Sequence, residues 1–385
     1  MLTQQLEFEA ARDAEILAGV PTAPAVFLLR GRDEAEPYVS KTANLRRRLM
    51  RLLGPAEDRS RKLNLREQVR AIEFQLTGSD FESGFLLYRV LRATFPQTYT
   101  KKLRLRFAPL VKLHLENEYP RASITRRIGK LHGRSLYYGP FLSRASAEKF
   151  MNDSLDFFKM RRCVEDLHPD PAFPGCIYSE MKMCMAPCFK GCTDEEYRVE
   201  VERVQKYFDS GGASLVREIE VQRGKASEDL AFEDAAVLHA RIDKVKPVVS
   251  SLPEAVQRID RMGAVMVQRS GEAGCVALFR VRAGVIDGPT EFSIQAAEHA
   301  KSQSMEARLE HCLSAMPERE RATTLETMEH LAILKRWVYR GTRVGEIFFA
   351  NEAGALPMRR LVRGISRVFR GESPEAAPVV PPGAS

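Results

Sequence analysis

The stretch CIYSEMKMCMAPCFKGC, residues 176–192, holds four of the chain's seven cysteines, and a fifth, Cys163, lies just upstream. Cys275 and Cys312 sit far away. The spacing from Cys163 to Cys192 is C-x12-C-x7-C-x3-C-x3-C. Cys184, Cys188 and Cys192 recur every fourth residue, as on one helix face, but Pro187 interrupts a helix there and a loop must present them. Four thiolates converging from a loop can hold zinc tetrahedrally or an iron–sulfur cluster. The paired C-x2-C knuckles that mark many zinc sites are absent, and the spacing by itself leaves both occupants open. The competing reading, a set of inert buried thiols, sits badly with five cysteines in thirty residues.

The setting of these thiols follows from the rest of the composition. The chain has 385 residues, 44% hydrophobic and 29% charged, enough for two or three domains with their own cores. No apolar run of about 18 residues predicts a membrane span. The opening MLTQQLEFEAARDAEIL is acidic and amphipathic rather than basic-then-apolar like a signal peptide. A reducing, cytoplasmic location is therefore expected, where clustered cysteines ligate metals more often than they cross-link. Net charge is uneven. Residues 1–150 carry 27 basic and 16 acidic residues, or +11; the remainder carries 59 − 27 = 32 basic and 51 − 16 = 35 acidic, or −3. A basic front half suits a polyanion such as nucleic acid, against the plainer reading of a solvated face.

Periodicity places the elements. AVFLL and PYVS read as two strands around a polar turn, and TANLRRRLMRLLG as a helix with a Leu45, Leu49, Leu52, Leu53 stripe closed by Gly54. Arg47, Arg48 and Arg51 occupy its other face. AIEFQLTGS predicts a third strand and Asp80 to Arg92 a helix; RLRFAPLVKLHLE and RASITRRI predict further strands. SLYYGPF reads as a loop before an amphipathic helix capped near Ser143. Residues 194–246 read as two helices broken at DSGGAS, residues 261–294 as strands with turns at Gly271–Gly274 and Asp287–Gly288, and residues 304–340 as helical. The Pro/Ala-rich tail predicts disorder.

In combination these phrases resemble the UvrC family of bacterial nucleotide excision repair, the incising proteins of the excinuclease ABC system, in family order over about residues 20–295. PAVFLL…PYVSKTANLRRRL resembles the opening of its GIY-YIG nuclease domain. YYGPF resembles a linker phrase, and RRCVED…PGCIYSEMKMCMAPC is similar to the family's cysteine segment. GKASEDLAFEDAAVLHARI resembles the helical UVR hairpin, and VALFRVRAGVIDG the β-region before the second nuclease domain. The resemblance implies a [4Fe–4S] cluster on Cys163, Cys176, Cys184 and Cys188, with Cys192 surplus and zinc the lesser alternative. It also implies that Leu230, Phe232, Glu233 and Ala236 of the hairpin meet UvrB, the excinuclease partner protein, and that DNA is the other partner.

The departures from the family pattern matter most for catalysis. The first-motif tyrosine is Phe27, which has no hydroxyl to carry a proton. Tyr38, Lys41 and Arg48 match the family's residual catalytic set, but the second-motif glycine is Ser40 and a helix tyrosine is Leu52. The metal-binding glutamate aligns with Leu87, and a hard cation needs oxygen donors. Glu82, five residues earlier, would point about 140° away on a helix. Catalytic Mg²⁺ is therefore not expected, and Lys41, Arg47, Arg48 and Arg51 remain as a DNA-binding surface. Asp287 is the last aspartate, so the carboxylate cluster of a second, two-metal nuclease site is not expected either. Trp337, Tyr339 and Phe348 with Arg336, Arg340 and Arg343 read as core aromatics beside a solvated basic face, in preference to a stacking clamp for nucleic acid.

The fold expected is α+β and multi-domain. A degenerate GIY-YIG-like domain would span 20–105, linker strands and a helix 106–162, and the cysteine segment 163–192. A helical region with the hairpin would span 193–250, a C-terminal α/β region 255–370, and a disordered tail 371–385. The function expected is a DNA-binding component of, or accessory to, the excinuclease ABC complex that is deficient as a nuclease. The alternatives are an endonuclease making one incision through a rebuilt site, and a cluster-based regulator outside repair.

Overall fold

A computed structural model describes residues 2–31, 35–55, 63–295, 304–317 and 322–372. Three antiparallel four-stranded sheets organise them, so the α+β expectation holds. The expected tail at 371–385 lies almost wholly outside the described residues.

The first sheet has the order β1-β4-β2-β3, from β1 (Gln4–Glu7), β2 (Ala25–Gly31), β3 (Tyr38–Thr42) and β4 (Val69–Leu76). Strand alternation gives β2 two apolar faces. Ala25, Phe27 and Leu29 pack on α1 (Asp13–Gly19) and on the leucine stripe of α2 (Leu45–Leu53). Val26 and Leu28 pack on α3 (Asp80–Thr94) through Val90, Leu86 and Leu87. The N-terminal strand β1 has no signature in the sequence because its pattern, QQLE, is exposed and mostly polar at a sheet edge.

After the short helix α4 (Tyr99–Lys102), the second sheet runs β6-β5-β7-β8. It comprises β5 (Leu110–Leu113), β6 (Ala122–Thr125), β7 (Leu136–Gly139) and β8 (Gln257–Arg258). The segment expected to be a loop at SLYYGPF thus contains a fully buried strand, β7. A strand apolar on both faces gives no alternation to read. Helix α5 (Arg144–Leu155) is capped by Ser143 as expected, and the short α6 (Ile177–Glu180) follows in the cysteine segment.

The helical region holds three helices rather than two: α7 (Asp194–Asp209), α8 (Ala213–Glu228) and α9 (Phe232–Ser250). The second break falls at Leu230, whose φ of 58° is left-handed. No glycine or proline marks it, so local composition gives no break there and only the hairpin resemblance implies one.

The third sheet has the order β11-β10-β9-β12, from β9 (Gly263–Arg269), β10 (Cys275–Arg282), β11 (Val285–Ser293) and β12 (Glu346–Phe349). Its second turn lies at Ala283–Gly284, both at positive φ, and not at Asp287–Gly288, which stays within β11. Helices α10 (Met305–Ala315), α11 (Thr324–Val338) and α12 (Met358–Arg370) cover it.

The N-terminal domain is not free of the C-terminal one. Phe81, Phe85, Tyr88 and Leu91, on the outer face of α3, share a core with Met266, Phe279, Leu331, Leu334 and Trp337. Gly78 allows the close approach, since a Cβ there would fall 2.2 Å from the carbonyl carbon of Ser270. At the centre lies Glu329, fully buried on α11, which accepts hydrogen bonds from the hydroxyls of Tyr88 (2.7 Å) and Tyr99. Burial, together with the bond to Glu329, pushes Tyr99 up to about 12. Glu329→Leu is expected to strand two buried hydroxyls and cost roughly 2–5 kcal/mol of stability. The double variant with Tyr88→Phe should cost less than the sum of the single changes. Denaturant midpoints check both; additive losses would show that the three groups do not act as one network.

Candidate functional site

The cysteine segment is a folded loop rather than a tether. Cys176 caps α6, Ala186 and Lys190 adopt left-handed conformations (φ 58° and 59°), and Pro187–Phe189 form one 3-10 turn between them. Backbone bonds tie the loop down: Asp170 N–H donates to Cys188 O at 2.8 Å, and Met185 N–H to Lys159 O at 2.9 Å. All five thiols are half-buried and free. Burial, joined by the neighbouring thiols of Cys163, Cys188 and Cys176, pushes Cys184 up to about 11, against a hydrogen bond from Ala186 N–H. Burial, with Cys176 and Cys163 nearby, also raises Cys188. Cys192 is raised by burial and by Glu196 and Asp194, and of the other cysteines only Cys188 acts on it. Cys163, Cys176 and Cys188 thus all bear on Cys184, whereas the charges that bear on Cys192 are chiefly Glu196 and Asp194.

Two features bear on what the four thiols could hold. Among the described residues no three of their sulfurs lie within 4.8 Å of one another. Tetrahedral zinc with bonds of 2.3 Å would place sulfurs about 3.8 Å apart, closer than any three of these sulfurs come. The second feature is Arg161, which is only 2% exposed. Its Nε donates to Tyr119 O (2.9 Å), and its Nη1 to Glu165 O (2.8 Å) and to the Cys163 sulfur (3.3 Å). No carboxylate pairs with it among the described residues. A buried guanidinium needs a counter-charge, and thiolates beside it would supply one. The sequence offered no signal for Arg161, which looks like any residue of a basic run.

The residues expected as a residual catalytic set divide between the two faces of the first sheet. Tyr38 pairs in register with Leu29 and faces α2, where its hydroxyl accepts a hydrogen bond from Arg48 Nη2 at 2.8 Å. Phe27 is fully buried, its ring centre 6.0 Å from that of Tyr38. Lys41 pairs with Val26 and faces α3, beside Leu87, and its Nζ lies 2.6 Å from Asp80 Oδ1. Asp80 Oδ2 lies 2.5 Å from Arg340 Nη1. Burial works the other way, but Lys41 and Arg340 together hold Asp80 below the usual carboxylate range. Glu82 turns away and accepts from Gly78 N–H at 2.8 Å. Burial, with Glu291 nearby, pushes it up to about 7.

The expected DNA-binding set is thus partly engaged. Lys41 is paired and Arg48 bonded to Tyr38, while Arg47 and Arg51 point to solvent from α2. The aromatic segment resolves as core: Trp337 and Phe348 are buried, and Arg343 lies over the Trp337 ring at 5.5 Å.

The segment expected to form the hairpin folds as α8 packed on α9. Its tip exposes Leu230 (71%) and Phe232 (67%), and Val221 and Val237 are exposed along the two helices. Glu233 and Ala236 are exposed as well. His239 contacts Arg223 (3.2 Å) and, at 3.7 Å, Asp243, and has no catalytic neighbour. Among the described residues no helix is long and apolar enough to cross a membrane.

Residues 109–207, which carry β5, β6 and β7 of the second sheet, the cysteine loop and most of α7, match the family model described as UvrC/Cho excinuclease, middle domain. The chain is 26% identical over 276 residues to UvrABC system protein C of Methanothermobacter thermautotrophicus, covering 72% of this chain and 46% of that protein. It is 27% identical over 284 residues to UvrABC system protein C of Moorella thermoacetica, covering 74% and 46%. It is 24% identical over 281 residues to that of Clostridium botulinum, covering 72% and 45%. The chain therefore spans about half the length of these relatives. No solved structure matches it.

Proposed function

The chain is a relative of the UvrC family, and on that premise we propose that it serves nucleotide excision repair as a DNA-binding component of, or accessory to, the excinuclease ABC complex, without cutting DNA itself. The observation that carries the second half is the surroundings of Lys41. Its carboxylate neighbour, Asp80, has one oxygen on Lys41 and the other on Arg340, and the position aligned with the metal-binding glutamate is Leu87. A cation there would have to break both ion pairs to gain a single carboxylate. The α3 helix beside it is also buried against α11 on its outer face. A metal-dependent nicking assay tests this reading.

One observation favours a second reading. Asp80 is an ionised carboxylate within reach of Lys41, so a rebuilt site would use it and would make one incision.

The cysteine loop in this proposal holds a [4Fe–4S] cluster on Cys163, Cys176, Cys184 and Cys188. The spacing of the four cysteines along the chain and the buried Arg161 bonded to the Cys163 sulfur support it. Such a group would contribute structural cross-linking or electron transfer, and Arg161 would balance its negative charge.

The exposed tip of α8 and α9 supports docking to UvrB, because Leu230 and Phe232 hold large apolar side chains in water at one hairpin end, which marks an interaction surface. Phe232→Ala with Leu230→Ala is expected to weaken binding to purified UvrB at least tenfold and to leave thermal stability unchanged, as both side chains are exposed. Titration calorimetry checks it. Undiminished binding would move the contact elsewhere.

A further inference from the structure

Helix α12 carries five arginines in thirteen residues, MRRLVRGISRVFR, and no acidic residue. At 100° per residue, Arg359, Arg360, Arg363, Arg367 and Arg370 fall within an arc of about 100°. Leu361, Ile365 and Val368 occupy the opposite arc and are buried on the third sheet. Gly364 fixes that seat, since a Cβ there would meet the Phe348 ring at 2.2 Å. The stripe thus stands on a rigid support and faces outward.

Two of the five arginines have structural work. Arg367 is half-buried and bonded to both oxygens of Glu346 (2.8 and 2.7 Å), and Arg370 pairs with Glu372 (2.6 Å) at the helix end, where the helix dipole favours cations. Arg359, Arg360 and Arg363 differ. They are exposed and form no ion pair among the described residues. They also lie in the first half of the helix, where the dipole disfavours positive charge. The N-cap, Pro357, offers no side-chain hydrogen bond, so amide donors there remain open to an anion. Neither fold stability nor helix electrostatics accounts for three arginines at this place.

We propose that the outward arginine stripe of α12, led by Arg359, Arg360 and Arg363, grips the phosphate backbone of duplex DNA. This rests on the DNA-binding reading above and relocates its main contact from α2, which keeps only Arg47 and Arg51 free. The stripe is about 16 Å long, enough to meet several successive phosphates of one strand. Arg269 extends it, its guanidinium lying against Gly371 at the helix end. A membrane surface fits less well, because the apolar face that would enter lipid is already buried in the third core. Contacts of this kind position a protein on DNA without reading sequence.

The test compares the full chain with the triple variant Arg359→Ala, Arg360→Ala, Arg363→Ala by fluorescence anisotropy on a 30-base-pair duplex across a salt series. Each lost phosphate contact removes about 0.9 from the slope of log affinity against log salt, so the triple variant should flatten that slope by about 2.7. Between 50 and 200 mM salt that corresponds to a difference of about 40-fold. Restoring charge with lysine at all three positions should recover most of the slope. The pair Arg47→Ala, Arg51→Ala should flatten it by less. A wild-type chain that binds duplex while the triple variant keeps its slope overturns this assignment and leaves the DNA-binding reading standing. A wild-type chain that does not bind duplex, or that binds anionic phospholipid vesicles in its place, overturns both.

Discussion

Serine at Cys184 or Cys188 is expected to abolish a brown, iron- and sulfide-containing chromophore in anaerobically purified protein and to destabilise the middle of the chain. Cys192→Ser should leave both colour and stability near wild type. The contrast follows from the loop, in which Cys163, Cys176 and Cys188 all bear on Cys184, while Cys192 responds first to burial and to Glu196 and Asp194. A centre that forms only in the folded chain adds its binding energy to folding. A site filled at even a hundred times its dissociation constant contributes about 2.7 kcal/mol. The second core would feel this loss, because Met185 and Cys192 of the loop pack against it. Arg161→Leu supplies an independent readout. Removing a buried charge from its partners commonly costs about 3–5 kcal/mol, and the loss should be smaller once Cys163 is also replaced. Stoichiometric zinc without iron would sink the cluster assignment and leave the four-thiol set intact.

The residues that carry chemistry were legible in the sequence to the extent that chemistry needs unusual residues in unusual spacing. Five cysteines in thirty residues announced a loop built around them, and the leucine stripe of α2 announced a helix. Buried strands and charge pairing were not legible. LYYG of β7 is buried on both faces, and its apolar run carries no period. Leu230 breaks the helical region at a left-handed φ with no glycine to mark it. Pairing across the fold decides which cations remain free, and pairing is a long-range property. Lys41 and Arg48 looked as available as Arg47 in the sequence, yet Lys41 is joined to Asp80 across 39 residues, and Asp80 to Arg340 across 260. The same blindness hid α12, since nothing local to its residues tells that the apolar side is covered and the leading arginines are left unpaired.

Cleavage by the unmodified protein is expected to stay near background with Mg²⁺ or Mn²⁺. Phe27 removes a hydroxyl, and a lost acid–base group costs a factor of about 10²–10⁴ in rate. Leu87 removes the aligned metal ligand, and with the metal go several kcal/mol of stabilisation for the charge that develops on phosphate. Phe27→Tyr with Leu87→Glu would return both groups to a frame in which Tyr38 and Arg48 are still hydrogen-bonded. Ser40 and Leu52 also depart from the family pattern, so the unmodified protein is the decisive sample. Its Lys41 and Asp80 are locked to each other and to Arg340, and Arg340 belongs to the C-terminal region packed over α3. That packing makes α3 half of a hydrophobic seam, with Glu329 and two tyrosine hydroxyls at the centre. Robust metal-dependent nicking that disappears with Lys41→Ala would reverse the conclusion. Asp80 would then be the carboxylate to replace next, because it is the one the structure places within 2.6 Å of that lysine.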